Sequence, residues 1–480
     1  MRVKRLIFAV AMIALIAVGC GNDDVGQPVE PVQTAEPVQT AEPVQTAEPV
    51  QTAEPVQTAE PVQTAEPVQT AEPVQTAEPV QTAEPVQTAE PVQTAEPVQT
   101  AEPVDSGSGD FKLVIGQVMP ETGSLAFLNS PMIEGIGLAI EDIVEAGGNV
   151  HLLTGDTATD PDVAPEAVNR LLGEGAHVIV GAAASGVSQS FIQTLYDAQI
   201  PQCSPSNTSP SFSTQDNASF YFRTVPPDQA VAPILANIVA ADGATNVAIP
   251  ARADDWGNAL ASLLAESFTE LGVGYQIISY DEDATSYDAT VAAIEDMGAD
   301  AVILVAFSEG AQIIRGMLEA GIPPEVMYGT DGIYDRHLAD TVDPSNPNVL
   351  DGFVALTAGG GDEFSERLIE RTGGDVAYGG QAYDCVVVLA LAALAAGSTA
   401  GPAIIGQVQT VTSGGQKCFD YAECAGLIAE GTDIDYEGVS GPLELDEVGD
   451  PTFGRYIIAE FIDGELTVTG SEDVDLAELG

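Results

Sequence analysis

Basic residues are scarce in this sequence. Lysine and arginine together number 13, against 73 aspartates and glutamates, so the formal net charge at pH 7 is −60. Such a charge excludes nucleic acid and anionic lipid as electrostatic partners. Because like charges repel unless salt screens them, the composition predicts a protein from a saline environment, or else an ordinary acidic extracellular protein.

Histidine and the usual catalytic motifs are also scarce. His151, His177 and His337 are the three histidines, and they lie far apart without metal-ligand spacing. No Gly-x-Ser-x-Gly elbow, phosphate-binding Gly-Lys-Ser loop or supported Cys/His pair occurs in the sequence. We therefore predict that the protein is not an enzyme, and that it holds no metal and no cofactor.

The N-terminus lacks an apolar run long enough to cross a membrane. Residues 6–18 are thirteen apolar positions, whereas a spanning helix needs about 20. A basic segment precedes this run, and the small-residue motif AVGC at 17–20 follows it. This pattern predicts a lipoprotein signal peptide over 1–19 and lipidation of Cys20. An ordinary secretory signal and a membrane span are the alternatives.

Residues 30–101 repeat the hexapeptide EPVQTA twelve times without a substitution. A proline in every repeat prevents a continuous helix or a paired strand, and one valine per repeat is too little to form a core. We therefore predict a disordered tether over 20–109, which would reach about 200 Å when extended. A protein-binding segment or a glycosylated stalk is the alternative.

The rest of the chain alternates short apolar runs with segments of helical periodicity. The runs lie at 112–118, 178–181, 247–249 and 301–305, and the helical segments at 132–146, 188–198, 256–271 and 311–320. This alternation predicts parallel sheets covered by helices. About 360 residues exceed one core, so two α/β lobes are expected, with ligand bound beyond the carboxyl ends of the strands.

Two hydroxyl-rich loops follow strand-like runs, GAAASGVS at 181–188 and SPSNTSP at 204–210. Loops of this kind can direct N–H groups and side-chain oxygens at a small anion, so they predict a carboxylate-binding site. Together with MPETGS at 119–124 and GTDGI at 329–333, they resemble the extracytoplasmic binding proteins of branched-chain amino-acid ABC transporters. The resemblance to this leucine/isoleucine/valine receptor family covers residues 111–463.

The resemblance implies a type I periplasmic-binding-protein fold, with two Rossmann-like lobes and a three-segment hinge. The N-terminal lobe would be 110–225 plus 358–440, and the C-terminal lobe 226–357 plus 441–480. Candidate hinge segments are 223–228, 356–361 and 440–446, each of which mixes glycine, proline and extended residues. Three ordinary surface loops are the alternative.

The resemblance also implies the binding groups for an amino acid. Ser185 and Thr208 match the hydroxyls that bind the ligand carboxylate, and Ser206 matches a position that offers its backbone N–H. A helix cap and a turn are the ordinary roles of such residues. Asp331 matches the acid that pairs with the ligand ammonium, although Asp-Gly is also a common turn dipeptide.

Pocket walls are implied at five further positions, for which core packing is the alternative role: Trp256, Phe307, Tyr378, Phe127 and Leu128. Trp256 and Phe307 stand where the family often has tyrosine, so a broader or more apolar ligand is possible. Arg223 and Arg252 are the cations in these segments, and they would contact either a second ligand carboxylate or nearby acids.

Four cysteines remain besides Cys20. Cys418 and Cys424 close a short loop with no histidine nearby, which favours a disulfide over a zinc site in an exported protein. Cys203 and Cys385 would then either pair or remain as buried thiols.

The resemblance implies a monomeric, lipid-anchored receptor that binds a small-molecule amino acid and delivers it to ABC-transporter permease subunits. An amide, a urea-like solute or an aromatic acid is the alternative ligand. A sensor input domain would share the fold. A wall-associated adhesin is the remaining class, but it would predict a β-rich module.

Overall fold

The computed structural model describes residues 112–476, which belong to one compact unit, Val98–Gly480. The predicted signal peptide at 1–19, the lipidation site Cys20 and the tether at 20–109 lie outside the described residues.

Fifteen strands form within the described residues. They are β1 (Leu113–Met119), β2 (Val150–Asp156), β3 (Val178–Gly181), β4 (Gln202–Ser204), β5 (Tyr221–Arg223), β6 (Asn246–Arg252), β7 (Gly274–Tyr280), β8 (Ala301–Leu304), β9 (Met327–Gly329), β10 (Val354–Ala358), β11 (Gln416–Cys418), β12 (Ile434–Gly438), β13 (Gly441–Pro442), β14 (Phe453–Ile462) and β15 (Glu465–Asp475).

Thirteen α-helices form within the same residues. They are α1 (Asn129–Glu145), α2 (Ala164–Gly173), α3 (Ser185–Gln189), α4 (Ile192–Ala198), α5 (Asp228–Ala241), α6 (Asp255–Leu271), α7 (Asp288–Met297), α8 (Gly310–Glu319), α9 (Leu338–Val342), α10 (Asp362–Thr372), α11 (Gly379–Ala396), α12 (Gly401–Val411) and α13 (Tyr421–Ala429).

Two sheets with parallel cores organise the structure. The first has the order β2-β1-β3-β4-β5 and is parallel throughout. The second has the order β7-β6-β8-β9-β10 in parallel, and the antiparallel strands β14 and β15 extend it beyond β10. The apolar runs became strands because they are buried on both faces, as parallel strands between helices must be. The predicted α/β fold is confirmed.

Each sheet anchors one lobe. Helices α1, α10, α11, α12 and α13 pack together in the lobe of the first sheet, and α5 to α9 pack around the second. A small sheet of β11, β12 and β13 joins the first lobe through α11 and α12. In both main sheets the order places an early strand between two later ones, which is where a doubly wound fold forms its binding crevice.

The predicted helix at 188–198 is divided into α3 and α4. Phe191 has φ −128°, outside the helical region. The Ser188 hydroxyl turns inward and accepts from the Ala182 amide at 3.0 Å and from Gln202 Nε2 at 3.1 Å. The break therefore lets Ser188 hold the loop that follows β3.

Helix α11 forms the centre of the first lobe. Its residues from Gly379 to Ala393 are buried, and among the described residues it has the length and apolar composition that could cross a membrane. Burial of most of the helix against the sheet and against α1 identifies it as a core helix here.

Both cysteine pairs are bridged. Cys418 and Cys424 are joined across a Cα–Cα distance of 5.4 Å, which confirms the predicted local disulfide. Cys203 in β4 and Cys385 in α11 are joined across 5.6 Å, which settles the alternative between a bridge and two thiols. The second bridge ties the central helix to the sheet beneath it.

Candidate functional site

The two hydroxyl-rich loops of the first lobe are bonded to each other. Ser204 Oγ, at the end of β4, donates to the Ala182 carbonyl at 2.9 Å and accepts from the Asn207 amide at 3.1 Å. Ser185 Oγ, at the start of α3, accepts from the Ser209 amide at 3.2 Å. The loops after β3 and β4 therefore form one polar surface at the carboxyl end of the sheet.

Two further hydroxyls belong to these loops. Ser206 Oγ and Thr208 Oγ1 are buried and make no hydrogen bond of normal geometry. The backbone N–H of Ser206 makes only a long contact, 3.3 Å, to Ser204 Oγ. Buried polar groups are usually paired, so the unpaired Ser206 hydroxyl, which belongs to a residue that lines the space between the lobes, is consistent with a group that bonds to a ligand.

The second lobe contributes an aromatic wall. Trp256 lies in the first turn of α6, and Phe307 follows β8. Their rings stack with centroids 5.0 Å apart and planes 24° apart. The Arg252 guanidinium lies 3.7 Å from the centre of the Phe307 ring, and this cation–π contact fixes the ring in place.

Asp331 begins a short 3₁₀ turn immediately after β9. Its Oδ2 accepts a short hydrogen bond from the hydroxyl of Tyr378, which comes from the opposite lobe. Its other oxygen, Oδ1, is buried and unpaired. Burial raises the pKa of Asp331, and the Tyr378 hydroxyl offsets part of this rise.

The backbone conformation of Tyr378 brings its hydroxyl to Asp331. It caps α11 in the left-handed conformation, with φ 60° and ψ 2°, and such a conformation in a non-glycine residue often marks a functional site. Burial and the nearby Asp331 carboxylate raise the pKa of the Tyr378 phenol well above its usual value. Tyr378 therefore acts as a donor to Asp331.

Seven of the nine predicted binding residues line one small cavity between the lobes. The lining residues are Leu125, Leu128, Ala183, Ala184, Ser185, Ser206, Trp256, Phe307, Asp331, Gly332 and Tyr378. The cavity measures about 20 Å³, which is room for about one water molecule. Hydroxyls stand on one side, a carboxylate on the other, and apolar side chains between them.

Thr208 and Phe127 are not in this lining. Thr208 is 4% exposed, and its carbonyl accepts from the Asp228 amide at 2.9 Å. Phe127 lines a separate depression of about 780 Å³ with Leu128, which contacts both spaces. The structure thus places Phe127 on the far side of Leu128 from the cavity.

Asp228, which starts α5, was not among the predicted site residues. The residue is fully buried, and neither carboxylate oxygen makes a hydrogen bond of normal geometry. Burial raises its pKa well above the usual value, and repulsion from Asp331 raises it further, while the nearby Thr208 hydroxyl lowers it. The only signal in the sequence was an acid after Pro-Pro, which is typical of a helix start.

The two arginines near the site pair with acids of the protein. Arg223 bonds to Asp450 at 2.6 Å. Arg252 bonds to Asp254 at 2.5 Å and to Glu309 at 2.9 Å. The sequence predicted that these arginines contact either a second ligand carboxylate or nearby acids. The structure shows them paired with nearby acids.

Comparison with known proteins agrees with this geometry. The periplasmic binding protein family matches residues 112–448. The substrate-binding protein BasB of the chemotactic signal transduction system of Halobacterium salinarum is 27% identical over 392 residues, covering 77% of this chain and 90% of BasB. Leu/Ile/Val-binding protein homolog 2 of Brucella abortus is 26% identical, covering 74% of this chain and 91% of the relative.

Solved structures agree on the fold. The leucine-binding protein LivK of Thermotoga maritima superposes with a TM-score of 0.64 at 20% identity, covering 76% of this chain and 99% of LivK. The chain belongs to the periplasmic binding protein family, and its resemblance to the Leu/Ile/Val-binding type is confirmed. It is thus an extracytoplasmic solute-binding receptor, and the family consists of binding proteins.

Proposed function

We propose that the protein is a monomeric, lipid-anchored receptor that binds an amino acid with an apolar side chain and delivers it to an ABC importer permease. The observation that carries this proposal is the buried, unpaired Oδ1 of Asp331. Asp331 lines a cavity whose other lobe presents hydroxyls. An amino acid carries an ammonium, which suits the carboxylate of Asp331, and a carboxylate, which suits the hydroxyls of the other lobe.

Each part of the ligand has a counterpart in the site. Ser185, Ser206 and Thr208 would bind the carboxylate through neutral donors, which leave no unpaired cation behind when the ligand dissociates. Asp331 would bind the ammonium, because an enclosed cation needs a fixed counter-charge. The stacked rings of Trp256 and Phe307 would enclose the apolar side chain.

The proposed cycle includes opening and closing of the lobes. The cavity of about 20 Å³ is smaller than any amino acid, so the lobes must part to admit one. The chain passes between lobes near three predicted hinge segments, 223–228, 356–361 and 440–446, and the lobe boundaries stated above follow from them. The elements that flank each segment pack in different lobes, which supports the three crossings. Because β13 within the third segment pairs with β12 of the first lobe, the third crossing comes after β13 and later than the predicted boundary at 440.

Membrane attachment completes the proposal. Lipidation at Cys20 would hold the receptor at the membrane. The EPVQTA tether would let the lobes reach both the external solution and the permease, because a proline-rich chain is extended and stiff. Support for this part comes from the sequence.

Calorimetric titration with amino acids, in high-salt buffer, tests the binding groups. Asp331→Asn keeps the shape but removes the counter-charge, and should weaken binding of the best ligand by about 2–5 kcal/mol. Ser185→Ala and Thr208→Ala each remove one hydrogen bond to a charged group, and should cost about 1.5–3 kcal/mol. Asp296→Asn, which removes an exposed acid from α7, should leave the affinity unchanged.

One outcome would contradict the amino-acid assignment. If Asp331→Asn binds as well as the wild type while the Ser185 and Thr208 variants fail, the ligand is an acid without an ammonium. The same titration with aromatic acids, amides and urea-like solutes then identifies the class.

A second candidate function is favoured by one relative. The name of the Halobacterium protein places it in chemotactic signal transduction, so the second candidate is that this chain serves a signal transducer instead of a permease. Ligand-dependent co-purification of the full chain from its own membranes separates the two functions, because the captured partner is either a permease or a transducer.

A further inference from the structure

The side chain of Phe307 separates two spaces between the lobes. Phe307 lines both the binding cavity of about 20 Å³ and a second space of about 440 Å³, whose lining includes Asp160 of the first lobe and Glu282 of the second. Ala184 also lines both spaces, but its side chain is a single methyl group. The Phe307 ring is therefore the larger barrier, and the size of the binding cavity depends on where this ring is held.

Glu309, which immediately precedes α8, holds the backbone of Phe307. Its Oε1 accepts from the Phe307 amide at 3.0 Å and from Arg252 Nη1 at 2.9 Å. The Tyr280 hydroxyl donates to the same oxygen at 3.0 Å. The Glu309 side chain is 9% exposed, and hydrogen bonds are stronger where water is excluded. This carboxylate therefore ties the start of the loop after β8 to the neighbouring strands.

The same carboxylate acts on the ring of Phe307 through Arg252. The Arg252 guanidinium lies 3.7 Å from the centre of that ring. It pairs with three acids, with Asp254 at 2.5 Å, with Glu309 at 2.9 Å and with Glu282 at 3.9 Å. Of the three, Glu309 is the one that the structure shows bonded to Phe307 as well. It therefore couples the cation over the ring to the backbone of the same residue.

We propose that Glu309 is a positioning residue, which fixes both the backbone and the ring of Phe307 and thereby limits the size of the ligand side chain that the site accepts. The inference rests on the proposed function. Glu309 lines the second space, whereas Phe307 lines the cavity as well, so Glu309 acts through Phe307 and not by touching the ligand. Without the carboxylate, the ring is free to move into the second space, and the cavity widens.

Trp256 reports the position of Phe307 in the absence of ligand. It is the only tryptophan in the sequence, it is 3% exposed, and its ring stacks on that of Phe307. In the full mature protein, Glu309→Ala should shift the Trp256 emission to longer wavelength and increase its quenching by acrylamide. Glu282→Ala, which removes an acid from the same arginine and the same space, should change neither.

If Glu309→Ala does not fold, Glu309→Gln takes its place. Glutamine keeps the shape of the side chain but removes the charge that pairs with Arg252, so the same changes in emission and quenching are expected at smaller amplitude. Emission and quenching that match the wild type in the folded variant overturn the inference.

Two ligands of different size test the proposed limit. L-Leucine and L-phenylalanine are titrated calorimetrically into the wild type and both alanine variants, or into Glu309→Gln where it replaces Glu309→Ala. The Glu309 variant should lower the ratio of the phenylalanine Kd to the leucine Kd by about tenfold, the order of discrimination that apolar pockets achieve. Glu282→Ala should leave the ratio unchanged. A general loss of stability weakens both ligands alike, so an unchanged ratio in the Glu309 variant overturns the inference and leaves the proposed function standing. If neither apolar amino acid binds the wild type, the proposed function fails, and the emission of the ligand-free proteins still decides whether Glu309 positions Phe307.

Discussion

Asp384 is a buried carboxylate that holds the chain in place where it leads toward the third predicted crossing between the lobes. It is fully buried in α11 and accepts from Tyr436 Oη at 2.7 Å, from the Val439 amide at 3.0 Å, and from the amide of Ser440 at 2.9 Å. Burial raises its pKa to about 6, and these hydrogen bonds limit the rise. The carboxylate therefore fixes the segment that leads into the third predicted hinge segment.

The pKa of Asp384 predicts a pH dependence of stability. A folded-state pKa of about 6, above the unfolded value near 3.8, means that this group contributes stability below about pH 4 that is lost as the pH rises through 6. On acidification from about pH 7 to about pH 4.5, the free energy of unfolding of the wild type should rise by about 2 kcal/mol relative to Asp384→Asn.

Chemical denaturation of both proteins at the two pH values measures this difference. Comparing them cancels the contributions of other carboxylates, including Asp228. An equal difference at both pH values would contradict the shifted pKa.

Individual binding residues differ in how far the sequence predicted them. Asp331 and Ser185 lie in loop motifs of local sequence, so a resemblance could place them. Asp228 could not be recognised, because the side chains that act on its carboxylate, among them Thr208 and Trp256, are distant in sequence. Phe127 and Leu128 are adjacent, but only Leu128 faces the cavity, since the direction of a side chain in an irregular turn does not follow from spacing.

Helix α11 connects the three predicted hinge segments. The Thr224 hydroxyl donates to the Gln381 carbonyl at 2.7 Å, and Gln381 Nε2 donates to the Gly359 carbonyl at 2.9 Å. Asp384, one turn further along, holds Ser440. One face of a single helix therefore bonds to all three segments, while its first turn positions Tyr378. This arrangement makes α11 the element that relates the hinge to the site.

Helix α1 approaches α11 closely at Gly135, which predicts that one added methyl group there destabilises the protein. A Cβ on Gly135 would lie 2.1 Å from the Gly379 carbonyl oxygen, so Gly135→Ala must push the start of α11 away and displace Tyr378. We expect a loss of about 1–3 kcal/mol in stability and weaker ligand binding. Gly137→Ala, on the same helix, meets nothing within 4 Å and should stabilise the protein by about 0.5–1 kcal/mol.

Thermal unfolding and ligand titration of both variants provide the measurement. If Gly135→Ala binds ligand with wild-type affinity despite lower stability, the position of Tyr378 does not depend on this helix contact.

Elements with strong local patterns were predictable, and those defined by distant partners were not. The strand–helix units around β1, β6 and β8 follow from apolar runs and helical spacing. The β14–β15 hairpin has little hydrophobic alternation in β15, which is mostly exposed, and it is held by pairing with β14 and, through it, β10. The hairpin therefore depends on the completed sheet.

At the scale of the whole molecule, acidic charge dominates. Some acids are paired, as in the contacts of Arg367 with Asp142 and of Arg371 with Glu141 between α10 and α1. These pairs are solvent-exposed, and such pairs contribute little, about 0–1 kcal/mol each. With 73 acidic and 13 basic residues, most carboxylates have no cationic partner, and the folded state concentrates their repulsion.

Salt should therefore stabilise the protein. Screening shortens the range of repulsion from about 30 Å at 0.01 M to about 3 Å at 1 M salt. We expect the melting temperature to rise with added chloride, most steeply at low concentration, and then to level off. Exclusion of salt from the protein surface would instead make the melting temperature continue to rise at high concentration. The shape of the curve therefore separates charge screening from salt exclusion. A melting temperature that is flat or falls between low and molar chloride would show that surface repulsion does not limit stability.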